Sequence, residues 1–212
     1  TCGYSPYLKL CVESVLACTR LPHRIHVVNS GDAESIRQLP AAAHVVQAET
    51  PLSYAQAGHL GISRGQAPYV CFLNDDVIVS EGWLEPLLAQ LRAGAGLCNP
   101  LSNCDRGWLH DYELNVGGVP LLPGMNAIVA GTIQLKGRDE PGATPEEIHA
   151  FRPGKARVYE REWVAFYCTL VSREVIERVG LLDEDFVNGC EDLDYCKRAT
   201  AMGYTCRVDE RS

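Results

Sequence analysis

Tyr69-Val70-Cys71-Phe72-Leu73-Asn74-Asp75-Asp76 is an apolar run, rich in β-formers, that stops on an amide and two adjacent carboxylates. Five apolar residues without polar alternation predict a strand buried on both faces, as in sheets covered by helices on each side. Upstream, Ser53 to Arg64 predicts a helix weakened by Gly58 and Gly61. His44 to Gln47 predicts a strand, Ala33 to Leu39 a short helix, and Arg24 to Asn29 a strand ending in the turn Ser30-Gly31-Asp32. Ser5-Pro6 opens a helix in which Leu8, Cys11, Val12, Val15 and Leu16 recur at helical spacing. Downstream, Ser80 is expected to cap a helix through about Arg92, with Trp83, Leu87, Leu88 and Leu91 on one face. Strands alternating with helices predict an α/β class with a mostly parallel sheet flanked by helices.

The rhythm breaks between about Asn99 and Arg161, where GVPLLPG and KGRDEPGATPEE carry Gly, Pro and charge with weak periodicity. Long irregular segments inside a domain are usually functional loops or lids. Arg152, Lys155, Arg157 and Arg161 form a basic cluster there, suited to an anion or to a solvated loop. Trp108 and Trp163 offer aromatic faces on which a ligand could stack, although Trp163 beside VAFY suits a buried anchor equally. His110 and His149 are weaker candidates for a binding site in the same stretch. Regular structure returns as a strand within Trp163 to Val171, then a helix capped by Ser172, then a helix from about Glu191 to Met202 closed by Gly203.

The 212 residues are 46 % hydrophobic and 22 % charged, with a net charge of −8. That composition excludes disorder for most of the chain. No run reaches the about 18 apolar residues a membrane span needs. An acidic chain also argues against nucleic acid as the main partner. The opening Thr1-Cys2-Gly3-Tyr4 lacks the basic-then-apolar pattern of a signal peptide. The ten cysteines form no C-x-x-C pair and no zinc spacing, and several occupy small-apolar positions, as in YVCFL and AFYCTLV. They read as buried free thiols in a reducing, cytoplasmic compartment.

Two acidic groups could carry chemistry. Asn74-Asp75-Asp76 follows a strand, and ligands of open α/β sheets bind beyond the carboxyl ends of strands. Adjacent carboxylates repel unless a cation joins them, which suits a hard divalent ion that also holds a diphosphate. A plain strand-ending turn uses the same residue types. Cys190-Glu191-Asp192-Leu193-Asp194 opens a helix after the acidic loop Leu182-Asp183-Glu184-Asp185-Phe186. Acidic residues there also complement the helix dipole and need no catalytic role.

Taken together, these blocks resemble the family 2 glycosyltransferases of the GT-A fold. YLKLCVESVL resembles that family's first helix, and RIHVVNSGD its strand ending in V-V-D-N-x-S-x-D. SYAQAGHLGISRGQAPYVCFLNDDVIVSEGWLEPLL is similar to the segment carrying the family's D-x-D motif. VSREVIERVGLLDEDFVNGCEDLDYCKRATAMGY matches its second signature, a helix, then G-x-x-D-E-x-F, then E-D-x-D. The resemblance covers about residues 4–98 and 163–208. It implies a Rossmann-like sheet with an irregular acceptor-side insertion, in one domain whose residues 1–98 bind a nucleotide-sugar and whose residues 99–212 bind the acceptor.

The resemblance further implies an inverting hexosyltransferase of polysaccharide or cell-surface glycan synthesis, assisted by Mn2+ or Mg2+. Its donor would be a UDP, GDP or dTDP sugar, and its acceptor a glycan or lipid-linked, which would bring the chain to a membrane periphery. Asp76 would bind the metal, Asp75 the ribose or the metal's water shell, and Asn74 fills the first D-x-D position. Asp192 would be the general base, with Glu191 beside it. Thr1, Asn29 and Asp32 fall where the family contacts base and ribose, and Trp163 and Asp194 face the acceptor. The family's usual Asp is Asn29 here, and an Asn common near His59 is absent. The family's first strand would precede Thr1 and a late metal-site His would follow Ser212, so a core clipped at both ends is expected. A non-catalytic nucleotide-sugar-binding module and a nucleotidyltransferase are the rival readings; the latter normally has a Gly-rich, basic phosphate loop, not found here.

Overall fold

The computed structural model describes residues 1, 5, 7–100, 158–187 and 189–212, together with the backbone of 115–116, 119–120 and 126–128. Helix α1 (Leu8–Cys18) leads to strand β1 (Ile25–Asn29), a 3-10 turn (Ala33–Ile36) and strand β2 (Ala43–Gln47), which pairs in parallel with β1. Helix α2 (Tyr54–Ile62), β3 (Tyr69–Leu73), β4 (Val77–Val79), α3 (Leu84–Arg92) and β5 (Leu97–Pro100) follow. Short strands β6 (Asn115–Val116), β7 (Val119–Pro120) and β8 (Asn126–Ile128) come next, β8 pairing in parallel with β4. The chain ends with β9 (Val158–Arg161), β10 (Cys168–Ser172), α4 (Arg173–Val179), α5 (Glu191–Ala201) and β11 (Cys206–Asp209).

Local signals account for most of these boundaries. Ser53 Oγ accepts from Gln56 N while Gln56 Oε1 accepts from Ser53 N, a reciprocal capping box that offsets the two helix-weakening glycines of α2. One of those glycines is needed for packing, because a Cβ at Gly58 would lie 3.0 Å from the Phe72 ring. Ser172 caps α4 through Val175 N. The expected cap at Ser80 is corrected: Gly82, at φ 82°, turns the chain left-handed, and α3 begins only after Trp83.

The central sheet has the order β3-β10-β5-β11-β9. The α/β architecture with flanking helices is as expected, but the sheet is mixed rather than mostly parallel. Strands β3, β5 and β11 run one way, and β10 and β9 run against them. Chain direction explains this. Both β9 and β10 start level with the carboxyl ends of β11 and β3, at Val158 opposite Asp209 and Cys168 opposite Leu73, so each descends.

Alternation along the strands divides the core in two. Phe72, Leu97, Val171, Cys206 and Val208 pack with residues of α2, α4 and α5 on one side. Cys98, Cys168 and Leu170 pack with Val15 of α1 and with Trp83, Leu87, Leu88 and Leu91 on the other. The cysteines serve as expected: Cys11, Cys98, Cys168, Cys196 and Cys206 are buried and free, while Cys2 and Cys104 lie outside the described residues. Gly96 lies so close to Tyr204 that a Cβ would sit 2.6 Å from the Tyr204 Cβ. At the far end, buried Asp209 accepts from Gln90 Nε2 (2.9 Å), Arg211 N (3.0 Å) and Arg211 Nε (2.8 Å). Burial pushes its carboxyl up, but the Arg211 and Gln90 hydrogen bonds outweigh burial and hold it below the ordinary carboxylate range.

Two tests follow. Gly96→Ala is expected to lower stability by about 1–3 kcal/mol, read as a lower urea midpoint at unchanged slope. Since the nearest clash is with the Tyr204 Cβ, Tyr204→Gly should couple to it more strongly than Tyr204→Ala in a double-mutant cycle. The depressed Asp209 carboxyl stabilises the fold above its unfolded value and loses that effect as pH falls through the folded value. The stability gap between wild type and Asp209→Asn should therefore narrow below about pH 4 in acid titrations.

Candidate functional site

At the carboxyl end of β3 the chain turns through Asn74, Asp75 and Asp76 into buried β4, and α1 lies beneath that turn. Cys11 Sγ donates to Asn74 O at 3.4 Å. Val79 N donates to Ser14 Oγ at 3.1 Å, and that hydroxyl donates to Cys11 O at 2.8 Å. One face of α1 therefore grips both ends of the acidic turn. Burial, reinforced by Asp75 and Asp76, pushes the Cys11 thiol up to about 12, so it stays protonated and keeps its role as donor. Asp76 Oδ1 is closed off from solvent.

The second acidic group opens α5. Cys190 stands at φ 71°, the one positive value outside glycine among the described residues, and follows Gly189 at φ 96°. This left-handed entry leaves Glu191 only 9 % exposed, with its Oε2 buried and bonded to no described group. Asp192 is half-buried, and its Oδ1 takes the N–H of Leu193 at 2.7 Å. Tyr54 lies within electrostatic reach of both carboxylates. Burial, then Cys71, Glu191 and Asp192, push its phenol far above the ordinary value, and its hydroxyl donates to Phe166 O.

The two acidic groups are joined by Val164–Tyr167, whose carbonyls are each taken by a different element. Cys196 Sγ of α5 donates to Val164 O at 3.7 Å, and Asn99 Nδ2 of β5 to Ala165 O at 2.6 Å. Tyr54 of α2 donates to Phe166 O, and Asn74 N, at the end of β3, to Tyr167 O at 2.9 Å. The Phe166 ring lies 5.2 Å from Phe72 and 5.6 Å, edge-on, from Tyr195. The strand-end turn and the start of α5 are thus positioned by one short segment.

Other predicted residues take different places. Asp194 accepts from Arg198 Nε at 2.7 Å, while Arg198 also donates to Val179 O and Leu181 O, so this pair fixes the α4–α5 connection. Trp163 is 47 % exposed, directly before the segment that docks on α5, and so is not a buried anchor. Asn29 is fully buried. Its Nδ2 donates to Gln47 Oε1 (2.8 Å) and Asp32 O (3.2 Å), and its Oδ1 accepts from Gly31 N. Asp32 is exposed and caps the 3-10 turn through Glu34 N. Thr1 lies alongside the end of β1, donating to Val28 O and accepting from Ser30 N. Arg161 is exposed and stacks on Tyr159. Trp108, His110, His149, Arg152, Lys155 and Arg157 lie outside the described residues.

Sequence reasoning missed Cys11, Ser14, Tyr54, Asn99 and the role of His59. His59 Nε2 donates to Leu182 O at 2.9 Å and Nδ1 lies 2.6 Å from Glu184 Oε1, tying α2 to the acidic loop before α5. The i, i+3 spacing of Cys11 and Ser14 on α1 was the one readable signal.

For a metal, the described residues gather no set of three His, Cys, Asp or Glu. Two neighbouring carboxylates, one partly enclosed, still fit an ion of the Mg2+ or Mn2+ kind, which takes remaining ligands from water and a substrate diphosphate.

A mixed sheet between helices, with acidic groups at a strand end and at a helix start, fits the GT-A glycosyltransferase architecture. A crystal structure of GalNAc-T7 with UDP, GalNAc and Mn2+ matches with a TM-score of 0.65 at 16 % identity, over 95 % of this chain and 39 % of that one. This chain thus spans about two-fifths of that chain's length. No curated protein matches. The sequence model of Glycosyl transferase family 2 matches residues 1–165, and the chain belongs to that family.

The left-handed Cys190 gives a test. Cys190→Gly should raise stability by about 0.5–1 kcal/mol, and Cys190→Ala should leave the strain in place. Paired chemical denaturation curves would measure both.

Proposed function

We propose that the chain is the catalytic core of an inverting glycosyltransferase that moves a hexose from a nucleoside-diphosphate sugar to a glycan or lipid-linked acceptor. The observation that carries this reading is Glu191, a buried carboxylate with an uncommitted oxygen beside half-exposed Asp192, held to the acidic β3 turn through Val164–Tyr167. Burying a carboxylate oxygen without a donor costs free energy that a purely structural helix start has no reason to bear.

In this reading Asp192 takes the proton of the acceptor hydroxyl as that oxygen bonds to the anomeric carbon, while the bond to the nucleoside diphosphate breaks. Glu191, its Oε2 closed from solvent, positions that base from beside it. Trp163, exposed beside α5, offers an aromatic face to the acceptor sugar. Thr1 and Asp32 line the nucleoside end. Asn29 shapes that end from below, because its amide is already committed to Gln47, Asp32 and Gly31. Asp76, with Asp75, would hold a divalent ion, which when bound supplies positive charge for the departing diphosphate. Mn2+ and a UDP-type donor are the first choices, since the structurally similar GalNAc-T7 was crystallised with both UDP and Mn2+. GDP and dTDP donors are the alternatives.

Residues 1–98 form the donor half and 99–212 the acceptor half of this core. The free thiols fit a reducing, cytoplasmic setting, and a lipid-linked acceptor would bring the core to a membrane periphery. Among the described residues no helix is long and apolar enough to cross a membrane.

Asp192→Asn is expected to cut release of nucleoside diphosphate from a UDP-, GDP- or dTDP-sugar panel by about 10²–10⁴-fold, with nucleotide binding retained. Asp76→Ala, or chelation of the metal, should abolish the rise in melting temperature that nucleotide with Mn2+ produces. Nucleotide binding without turnover in the wild-type chain would favour a binding module, and binding indifferent to metal would remove Asp76 from its role.

A further inference from the structure

The β1–β2 pair has a second surface, on the face away from α1. Val27 packs on Leu8 and Val12 of α1, so His26 and Val28 point the other way, toward α2. His26 is in register with His44 on β2, and their rings lie 5.6 Å apart, tilted by 32°. Arg24, just before β1, and Arg64, just after α2, complete the surround. Together with Val45 and Val46 these four side chains line an open concavity of about 330 Å3. It contains no carboxylate.

This grouping runs against the rest of the chain. The net charge is −8, and Arg20, Arg37, Arg178, Arg198, Arg207 and Arg211 each face an acidic partner. Among the described residues Arg24, Arg64, Arg92, Arg161 and Arg173 have none, and of these only Arg24 and Arg64 line one concavity together. Burial, followed by His44, Arg24 and Arg64, holds the His26 imidazole below its ordinary value, as expected where like charges are crowded without a counterion. A metal cation is a poor occupant, because two guanidinium groups repel it and only two imidazoles could ligate it. Two guanidinium forks and two imidazoles suit a dianion with several acceptor oxygens.

We propose that this concavity binds a phosphate monoester or diphosphate, at a site separate from the acidic turn and α5. It sits around the start of β1, about 10 Å along the strand from Asn29 at the other end. The groups facing His26 are His44 from β2, Arg24 ahead of β1 and Arg64 beyond α2. All are cationic or neutral, so a bound dianion favours protonated imidazoles and binding tightens as pH falls. The phosphate could be carried by a soluble molecule or by a lipid headgroup.

Pyrophosphate titrations followed by the His26 and His44 ring resonances, at about pH 6 and about pH 8, test the site. Expected are shifts of both rings, affinity about tenfold higher at the lower pH, and loss of about tenfold or more in a double variant, Arg24→Gln with Arg64→Gln. Both arginines are exposed, so the variant should keep the wild-type melting temperature. Co-sedimentation with phosphatidic acid vesicles but not phosphatidylcholine vesicles, lost in the same variant, supports the site with a lipid source. Pyrophosphate binding without co-sedimentation supports it with a soluble source. Neither kind of binding, equal binding by the variant, or ring shifts with Zn2+ but not with pyrophosphate would overturn it.

Discussion

Four consecutive backbone carbonyls, from Val164 to Tyr167, set the geometry on which the rest depends. A buried carbonyl needs a donor, and these find theirs on α5, β5, α2 and the end of β3 respectively. None of the four donors comes from within the segment. Satisfying all of them at once leaves little freedom in how the acidic turn after β3 and the helix α5 are placed about this segment. The rings of Phe72, Phe166 and Tyr195 fill the space beneath, so both acidic groups rest on a packed layer.

That arrangement separates legible features from hidden ones. Strand β3, helix α1 and helix α5 were readable because their signals are local: an uninterrupted apolar run, a 3.6-residue period, an acidic first turn and a closing glycine. Asp75, Asp76, Glu191 and Asp192 were readable as candidates for the same reason. Cys11 meets Asn74 across 63 residues and Tyr54 meets Phe166 across 112, and no short window contains either pair. Strand β5 was masked by its brevity and by Pro100, and β9 by its mostly exposed face. The mixed direction of the sheet follows from where the chain re-enters, which no periodicity encodes.

Asn29 illustrates how one departure from a family pattern can be absorbed. An amide both donates and accepts, and here it does both, joining the end of β2 to the turn after β1. A carboxylate at the same place could not donate to the Asp32 carbonyl or to the Gln47 oxygen. Gln47 and Asn29 therefore form a matched pair, and the identity of one constrains the other. The turn after β1 is organised from beneath, by a residue fully removed from solvent.

The distribution of thiols has an experimental consequence. Among the described residues Cys190 alone is exposed, Cys18 and Cys71 are half-buried, and five cysteines are buried across α1, the sheet and α5. Alkylating reagents should consume Cys190 at the rate of an accessible thiol. The buried five can react only when their surroundings open, so their rates report local and global opening free energies. The molecule thus carries a built-in set of clocks: one calibrated on the surface beside Glu191, the rest timing separate regions of the interior, with no label to disturb either.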